Sequence, residues 1–321
     1  MSLEDKALVH TSTLFANPFD LADLEVFDDA TLQRVCVGEH ASVPFEILAL
    51  SLRDAPESLL RRIAHCLSPA QWAQLQHVQR RFCPSQEDVE HARRLLLDHL
   101  FWELTYWKTP ELYEELTEGE HLHPEIFPRL APDIHAKEVL DVGAGSGRAT
   151  IECLRYGAAH VYAVEPSPGL RRILEQKLRY MPQPSRFVSC SGSFEDLPLE
   201  DQSVDLTLSC SAFTALPGQG GEPGLSELKR VTRVGGKIVL IWPRYEDRAW
   251  LEEHGFTYVT LPMDQEMRVR FRSQKAALEC ARHFYTYNHE VARYVLMHQS
   301  ADIPFSVIGL NPPCEYCWLQ V

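Results

Sequence analysis

The stretch VLDVGAGSGRAT, residues 139–150, joins an apolar run to a glycine-rich turn and then to the start of a helical pattern. Gly143, Gly145 and Gly147 alternate with small residues, so the backbone can turn sharply and approach a ligand with no Cβ in the way. When such a turn follows the first strand of a parallel sheet, it lies at the carboxyl edge, where ligands bind. The stretch therefore predicts a ligand-binding turn in an α/β sheet.

Details of the turn distinguish between two kinds of cofactor. A dinucleotide fingerprint has the form GxGxxG, but Arg148 occupies its third glycine position and Gly147 comes one residue early. Asp141 precedes the turn, where a carboxylate suits the ammonium group of a methionine moiety better than a diphosphate. Glu165, followed by Pro166, ends the next strand-like run, and a carboxylate there can accept hydrogen bonds from a ribose diol, as in NAD sites. Together these features indicate a cofactor that contains adenosine.

From about residue 137, strand-like and helical patterns alternate. The predicted strands are EVLDVGA, HVYAVEP, SRFVSCS, VDLTLSCSAF, KIVLIWP and TYVTLPM. Strand–helix alternation of this kind favours right-handed crossovers and a parallel sheet. We therefore predict an α/β fold with a doubly wound, seven-stranded, mostly parallel Rossmann-like sheet. The C-terminal run SVIGL…EYCWLQV is expected to be a hairpin partner at one sheet edge.

The first third of the chain has a different pattern. Residues 1–105 repeatedly place apolar residues three and four apart, which predicts an all-helical N-terminal appendage. It would serve as a cover over a site or as a dimerisation element, and completing a core is an equal alternative. Residues 106–321 are predicted to form the α/β domain, with a helical insertion near 265–300.

Composition and charge disfavour several classes of partner. The net charge of −14 and the lack of a basic stripe argue against nucleic acid. No apolar run reaches the roughly 20 residues that span a bilayer, and the start MSLEDKALVH lacks the features of a signal peptide. We therefore predict a soluble, cytoplasmic protein without a membrane partner. Formation of a homodimer is left open by these patterns.

The nine cysteines are irregularly spaced, which argues against a disulfide framework. CEYC, residues 314–317, is expected to hold buried structural thiols, with a metal or redox pair as the alternative. The histidines form no HExxH pattern, and no metal site is predicted.

Four segments, DVGAGSG, VEPS, GSFEDLPLEDQSVDLTLSCSAF and ELKRVTRVGGKIVLI, together resemble the class I S-adenosylmethionine-dependent methyltransferases. They look most like the small-molecule branch that includes the quinone-biosynthesis enzymes. The resemblance covers about residues 135–245 and none of the N-terminal third. It implies S-adenosylmethionine as the cofactor and a small molecule as the acceptor of an in-line methyl transfer. The cofactor-binding residues that it implies are Asp141, Gly143, Ala144, Gly145, Gly147, Glu165, Pro166, Ser193, Phe194 and Cys210.

The chain also departs from the family pattern. The third motif of the family is usually GDAxxLPF, whose aspartate meets the adenine amino group, whereas Ser193 stands in that place here and Phe194 follows it. Glu195 or Asp196 could substitute for the missing carboxylate. The histidine-rich stretch that often follows the fourth strand is replaced by SCSAFTALPGQGG. NPPC, residues 311–314, comes too late in the chain for an amino-methyltransferase motif, and Pro312 and Pro313 are interpreted as a turn or an edge-strand device.

The catalytic residues are not determined by these patterns. Tyr113, His121, His123 and His283 are candidate bases for an acceptor that must lose a proton, although packing or surface placement is the favoured explanation for each of them. The main competing function is a non-catalytic S-adenosylmethionine-binding or scaffold protein with a methyltransferase fold. An NAD-dependent oxidoreductase and a protein or RNA methyltransferase are less favoured by the same patterns.

Overall fold

The structure is a computed structural model that describes residues 17–37, 44–81, 84–181 and 186–321. Its described residues divide into two compact units, one that lies within residues 1–109 and 281–289 and another within residues 110–280 and 290–321. The start MSLEDKALVH, Cys83 and the side chain of Cys36 lie outside the described residues. The domain limits drawn from the sequence stay predictions.

The described part of the first unit is helical, as the sequence predicts. A 3₁₀ helix at Leu21–Val26 is followed by α1 (Asp29–Val37), α2 (Phe45–Ser51), α3 (Glu57–Cys66), α4 (Pro69–Arg81), α5 (Gln86–His99) and α6 (Phe101–Lys108). The PSQED segment begins α5 with a capping box. The Ser85 hydroxyl accepts the Asp88 N–H at 3.2 Å, and the Asp88 carboxylate accepts the Ser85 N–H at 2.8 Å. The helices bury a common core that includes Leu24, Leu32, Leu48, Ile63, Leu75 and Leu96.

The second unit contains the α/β domain. Its helices are α7 (Pro110–Gly119), α8 (Ile126–Ile134), α9 (Arg148–Arg155), α10 (Pro168–Leu178), α11 (Gly221–Val231), α12 (Arg248–Glu253), α13 (Gln274–Phe284, whose last residues belong to the first unit), α14 (His289–His298) and α15 (Phe305–Ile308). Its strands are β1 (Glu138–Val142), β2 (His160–Val164), β3 (Phe187–Cys190), β4 (Val204–Cys210), β5 (Thr232–Ile241), β6 (Thr257–Thr260), β7 (Arg268–Arg270), β8 (Asp302–Pro304) and β9 (Glu315–Gln320). β7 and β8 pair separately as a small antiparallel sheet.

The main sheet has seven strands in the order β3-β2-β1-β4-β5-β9-β6. The first five run parallel, and β9 pairs antiparallel with both β5 and β6. This arrangement confirms the predicted doubly wound, mostly parallel Rossmann-like fold. The strand order reverses between β1 and β4, and ligands bind outside the carboxyl ends of the strands at such a switch point. The glycine turn follows β1 at this place.

The prediction for the C-terminal run was wrong in two respects. SVIGL does not form a strand, because Phe305–Ile308 is a short helix that ends at Gly309 with φ +81°. β9 does not lie at a sheet edge, because it is inserted between β5 and β6 and leaves β6 as the edge strand. Cys317 and Tyr316 are buried as a result, so the long-range burial of the apolar tail outweighs local hairpin formation.

The predicted turn at NPPC is confirmed. It directly precedes β9, and the Cys314 N–H donates to the Pro312 carbonyl oxygen at 2.8 Å. Cys314 and Cys317 are both buried free thiols. Within the described ranges no group of three His, Cys, Asp or Glu side chains is placed to hold a metal ion. Among the helices described, none has the length and apolar character needed to cross a bilayer.

Candidate functional site

The glycine turn is built so that only glycine fits at its start. Gly143 has φ +69°, and a Cβ placed on it would lie 2.6 Å from the Cβ of Ala212 and 3.2 Å from the Phe194 ring. Ala212 and Phe194 follow β4 and β3, so the backbone of the turn is pressed between two loops at the carboxyl edge. At the far end of the turn, Gly147 has φ +96° and is the N-cap of α9. Glycine is therefore required at both ends of the turn, by close approach of neighbouring side chains at Gly143 and by the left-handed backbone at Gly147.

Asp141 lies at the end of β1 and has one oxygen bonded and one unpaired. Its side chain is fully buried, and Oδ2 accepts a hydrogen bond from the Thr150 hydroxyl at 2.6 Å. Oδ1 is buried without a hydrogen-bond partner among the described residues. Burial raises the pKa of this carboxyl to about 6, against the opposing effects of Thr150 and Arg148. A buried acceptor without a partner is costly and marks a place for a ligand donor.

A pocket opens directly beside Asp141. It is lined by Tyr113, Thr117, Asp141, Gly143, Ala144, Gly145, Ser146, Arg148, Ala149 and Cys210. Six of these were singled out from the sequence, namely Tyr113, Asp141, Gly143, Ala144, Gly145 and Cys210. The fold brings them together because α7, the turn after β1 and the end of β4 meet at the switch point.

Glu165 ties the turn to the end of β2. Its Oε2 accepts the Gly145 N–H at 3.0 Å, and its Oε1 accepts the Ser167 N–H at 2.8 Å. Both carboxylate oxygens of Glu165 are therefore anchored by backbone N–H groups. Glu165 is buried, whereas Pro166 beside it is exposed. The predicted ribose contact stays a prediction, and the structure adds a second role in holding Gly145.

The segment after β3 places Phe194 against the turn. Phe194 packs edge-on against Phe213 with ring centroids 5.3 Å apart and approaches Gly143. The backbones of Ser193 and Asp196 form a small bridge. Glu195 accepts the Gly220 N–H at 2.9 Å, so this substitute for the missing aspartate is engaged within the loop. The adenine contacts predicted for Ser193 and Phe194 stay predictions.

Arg148 and Glu120 were not identified as site residues from the sequence. Arg148 is the first residue of α9 and donates from Nη1 to the Glu120 carbonyl oxygen at 2.9 Å. Its Nη1 lies 3.8 Å from the Glu120 carboxylate, and its guanidinium lies 5.8 Å from the Trp242 ring centre. Glu120 is buried, which raises its pKa to about 7. Only folding brings these residues together. The place of Arg148 in the glycine motif, where a dinucleotide site has its third glycine, could still have marked it as a site residue.

The candidate bases lie in different places. His123 is engaged on both ring nitrogens, because Nδ1 accepts the Glu125 N–H and Nε2 donates to the Pro262 carbonyl oxygen, each at 3.2 Å. His121 is exposed. His283 belongs to the first unit, where its Nε2 lies 3.0 Å from the Thr105 hydroxyl and burial lowers its pKa to about 4. None of the three histidines lines the pocket of the second unit.

Tyr113 does line this pocket. Burial raises the pKa of its hydroxyl above the ordinary value, so the side chain keeps its proton in the neutral range. It is therefore suited to donating a hydrogen bond rather than to accepting a proton. Its helix α7 is held near the turn by an ion pair between Glu114 and Lys177 of α10 and by Thr117, whose hydroxyl lies 3.5 Å from that of Ser146.

Comparisons with known proteins agree with this geometry. Residues 140–240 match the family model described as a methyltransferase domain. The match supports the predicted enzyme class, an S-adenosylmethionine-dependent methyltransferase, and the predicted cofactor.

Curated relatives match the same part of the chain. An uncharacterized methyltransferase of Mycobacterium bovis is 35% identical over 133 residues, which cover 41% of this chain and 50% of that protein. The malonyl-[acyl-carrier protein] O-methyltransferase of Halorhodospira halophila is 32% identical over 119 residues, 36% of this chain and 38% of that protein. The chain thus spans half or less of the length of these relatives. The crystal structure of the YcgJ protein from Bacillus subtilis aligns with a TM-score of 0.45 at 13% identity, over 62% of this chain and all of that one.

Proposed function

We propose that this protein transfers a methyl group from S-adenosylmethionine to a small-molecule acceptor. The observation that carries the proposal is the unpaired, fully buried Oδ1 of Asp141 beside a glycine-lined pocket at the switch point. An ammonium group is a donor that would satisfy this oxygen, and a charge-assisted bond of this kind is strong in a buried place. The methionine end of the cofactor carries such a group.

The residues present fit this cofactor. Asp141 would hold the ammonium group, the turn from Gly143 to Gly147 would pass close beside the cofactor backbone, and Glu165 would receive the ribose hydroxyls. The bound cofactor supplies the activation, because its sulfonium makes the methyl group electrophilic. The chain's own task is to align the acceptor and exclude water, and alignment of this kind contributes roughly 7–11 kcal/mol. Tyr113, which keeps its proton, would donate a hydrogen bond in the pocket.

A small molecule is favoured as the acceptor over a nucleic acid or a protein. The net charge of −14 opposes phosphate backbones. The pocket beside Tyr113, Arg148 and Cys210 is a recess rather than a flat surface, which suits small ligands. The resemblance to the quinone-biosynthesis enzymes adds a finer proposal, in which the acceptor is a phenol or quinol. The same substrate class is compatible with the cytoplasmic location proposed from the sequence and with a monomer or a homodimer.

The first test is binding and turnover by the full chain. Calorimetry with S-adenosylmethionine and S-adenosylhomocysteine is expected to show one site per chain with a dissociation constant in the micromolar range, about −8 kcal/mol. A panel of phenols, quinols, amines and carboxylates is then screened for release of S-adenosylhomocysteine. Absence of binding would refute the proposal. Binding without turnover on any panel member would instead favour the non-catalytic S-adenosylmethionine-binding protein.

Cofactor affinity is expected to depend on pH in a defined direction. Since burial raises the pKa of Asp141 to about 6, the carboxyl is ionised above that pH and pairs with ammonium only there. Affinity for S-adenosylhomocysteine should be constant above pH 7 and fall about tenfold per unit below pH 6. In the ligand-free protein this same group lowers the free energy of unfolding as the pH rises from about 4 to 6, because the folded state disfavours its charge.

Calorimetry between pH 5 and 8 checks this prediction. Glu120, whose pKa is raised to about 7, titrates in an overlapping range. The Asp141→Asn variant separates the two groups, because it should remove the dependence below pH 6 and keep any contribution from Glu120. An equally steep profile in wild type and variant would show that another group is responsible.

A further inference from the structure

Arg148 reaches from the glycine turn toward the carboxyl ends of β4 and β5. It is the first residue of α9, yet its guanidinium interacts with Cys210 at the end of β4 and lies near the ring of Trp242, which follows β5. Its side chain is 19% exposed and lines the pocket together with Asp141. The positive charge therefore stands on the side of the pocket away from Glu165 and β2.

The hydrogen bonds of this guanidinium are incomplete. A guanidinium has five N–H donors. Within the ranges that the structure describes, its hydrogen-bond acceptor is the Glu120 carbonyl oxygen at 2.9 Å, and the Cys210 thiol interacts with it electrostatically. The nearest Glu120 carboxylate oxygen, at 3.8 Å, is beyond hydrogen-bonding distance. Several donors of a largely buried group are therefore left for a ligand or for water.

The charge of Arg148 is also only partly compensated. Burial raises the pKa of Glu120 to about 7, so near neutral pH a large part of its population carries no charge. Asp141 is occupied by Thr150 on one oxygen, and its other oxygen is proposed to face the ammonium group of the cofactor. A fixed, partly unpaired arginine in a recess is suited to a carboxylate, which it can meet with two parallel hydrogen bonds.

Trp242, whose ring lies near the Arg148 guanidinium, is held in place by hydrogen bonds of its backbone and its side chain. Trp242 has φ +52°, an uncommon conformation for a bulky residue that persists only when its surroundings hold it. Its backbone N–H donates to the Glu315 carbonyl oxygen at 2.9 Å, and its indole N–H donates to the Asn311 carbonyl oxygen at 3.0 Å. Strain of this kind concentrates at functional sites, so the position of the indole beside the guanidinium is a built feature of the site.

We propose that Arg148 binds a carboxylate group of a ligand in this pocket. The proposal rests on the proposed function, and it adds a recognition residue and a chemical class of ligand group. Two sources supply this chemistry, namely the carboxylate at the methionine end of the cofactor and a carboxylate on the methyl acceptor. Both place an anion within reach of the unpaired donors of Arg148.

The test compares ligands that differ by the carboxylate. The Arg148→Met and Arg148→Lys variants are titrated with S-adenosylhomocysteine and with 5′-methylthioadenosine, which lacks the amino-acid end. If the cofactor supplies the carboxylate, Arg148→Met should weaken S-adenosylhomocysteine binding 10- to 100-fold and leave 5′-methylthioadenosine binding unchanged. If the acceptor supplies it, both affinities should stay, and kcat/KM should fall 10- to 100-fold for acceptors with a carboxylate but not for their amides. Arg148→Lys should recover part of either loss.

Arg155→Met is the matched control, because Arg155 lies on the same helix, is 63% exposed and pairs locally with Glu152. It should change none of these quantities. The ratio of the two affinities is measured within each variant, so a partly unfolded sample does not produce the expected pattern. Unchanged affinity ratios together with unchanged acceptor preference in Arg148→Met would overturn the inference. Absence of S-adenosylhomocysteine binding by the wild type would overturn the proposed function, and this inference with it.

Discussion

Replacing Asp141 by asparagine is expected to weaken S-adenosylmethionine binding on the order of 100-fold, about 2.8 kcal/mol, while leaving the fold intact. The ammonium group would lose the charge of its buried partner, whereas asparagine keeps an oxygen that can accept from the Thr150 hydroxyl. In the ligand-free protein, the raised pKa of Asp141 means that its negative charge destabilises the folded state. Removing that charge should therefore leave the free energy of unfolding at neutral pH unchanged or raise it.

Asp205→Asn is the control for Asp141→Asn, because it should change stability and leave cofactor affinity unchanged. Asp205 belongs to β4, and its Oδ1 pairs with Arg233 at 2.8 Å while Oδ2 accepts the Glu138 N–H at 3.0 Å. These contacts lower the pKa of Asp205, so its charge stabilises the folded state. The variant should lose stability and keep its cofactor affinity. Calorimetry and chemical unfolding of both variants check the pair, and equal affinity of wild type and Asp141→Asn would remove Asp141 from the site.

Replacing Gly143 by alanine is expected to abolish measurable cofactor binding and to lower the free energy of unfolding by about 2–4 kcal/mol. The new Cβ would lie 2.6 Å from the Cβ of Ala212, which is fixed to the backbone and cannot rotate away. The residue would also have to keep φ +69°. Both effects act at the first residue of the turn. The turn and the loop that carries Ala212 would therefore have to shift, and they would shift at the place where the cofactor is proposed to bind.

Gly235→Ala is the control that separates the cost of a positive φ from the cost of a steric clash. Gly235 has φ +82°, but no atom lies within 4 Å of a Cβ placed there. This variant should lose only the roughly 1 kcal/mol that a left-handed conformation costs an alanine, with cofactor affinity unchanged. Thermal unfolding and titration of the two alanine variants give the comparison. Cofactor binding by Gly143→Ala at wild-type strength would contradict the placement of the ligand along this turn.

The predictions from sequence succeeded where local pattern and chemistry coincide. The period of the apolar residues separated the helical N-terminal part from the α/β part, because burying one face of a helix or both faces of a parallel strand leaves different patterns. Asp141 and the glycines could be predicted as one site because they are close in the sequence and follow one strand. The position of β9 could not be predicted in this way, because the pairing of a strand with β5 or with an edge depends on contacts between distant segments.

Arg148 illustrates the same limit within the site. Its place in the glycine motif was informative about the cofactor, but its interactions with Glu120, Cys210 and Trp242 join residues from four different parts of the chain. The histidines are the opposite case, since the sequence suggested them and the fold places them away from the pocket. They were candidates by residue type alone, and the fold engages His123 with the Pro262 carbonyl oxygen and buries His283 among the aromatic rings of the first unit.

The sequence by itself determined the type of sheet, the glycine turn and the class of cofactor, because each of these depends on residues that are neighbours along the chain. The tertiary structure alone decided which oxygen of Asp141 is left unpaired, what surrounds Arg148 and where the last strand pairs. Burial, hydrogen-bond completion and charge compensation depend on the atoms that packing brings near, and residues far apart in the sequence supply those atoms.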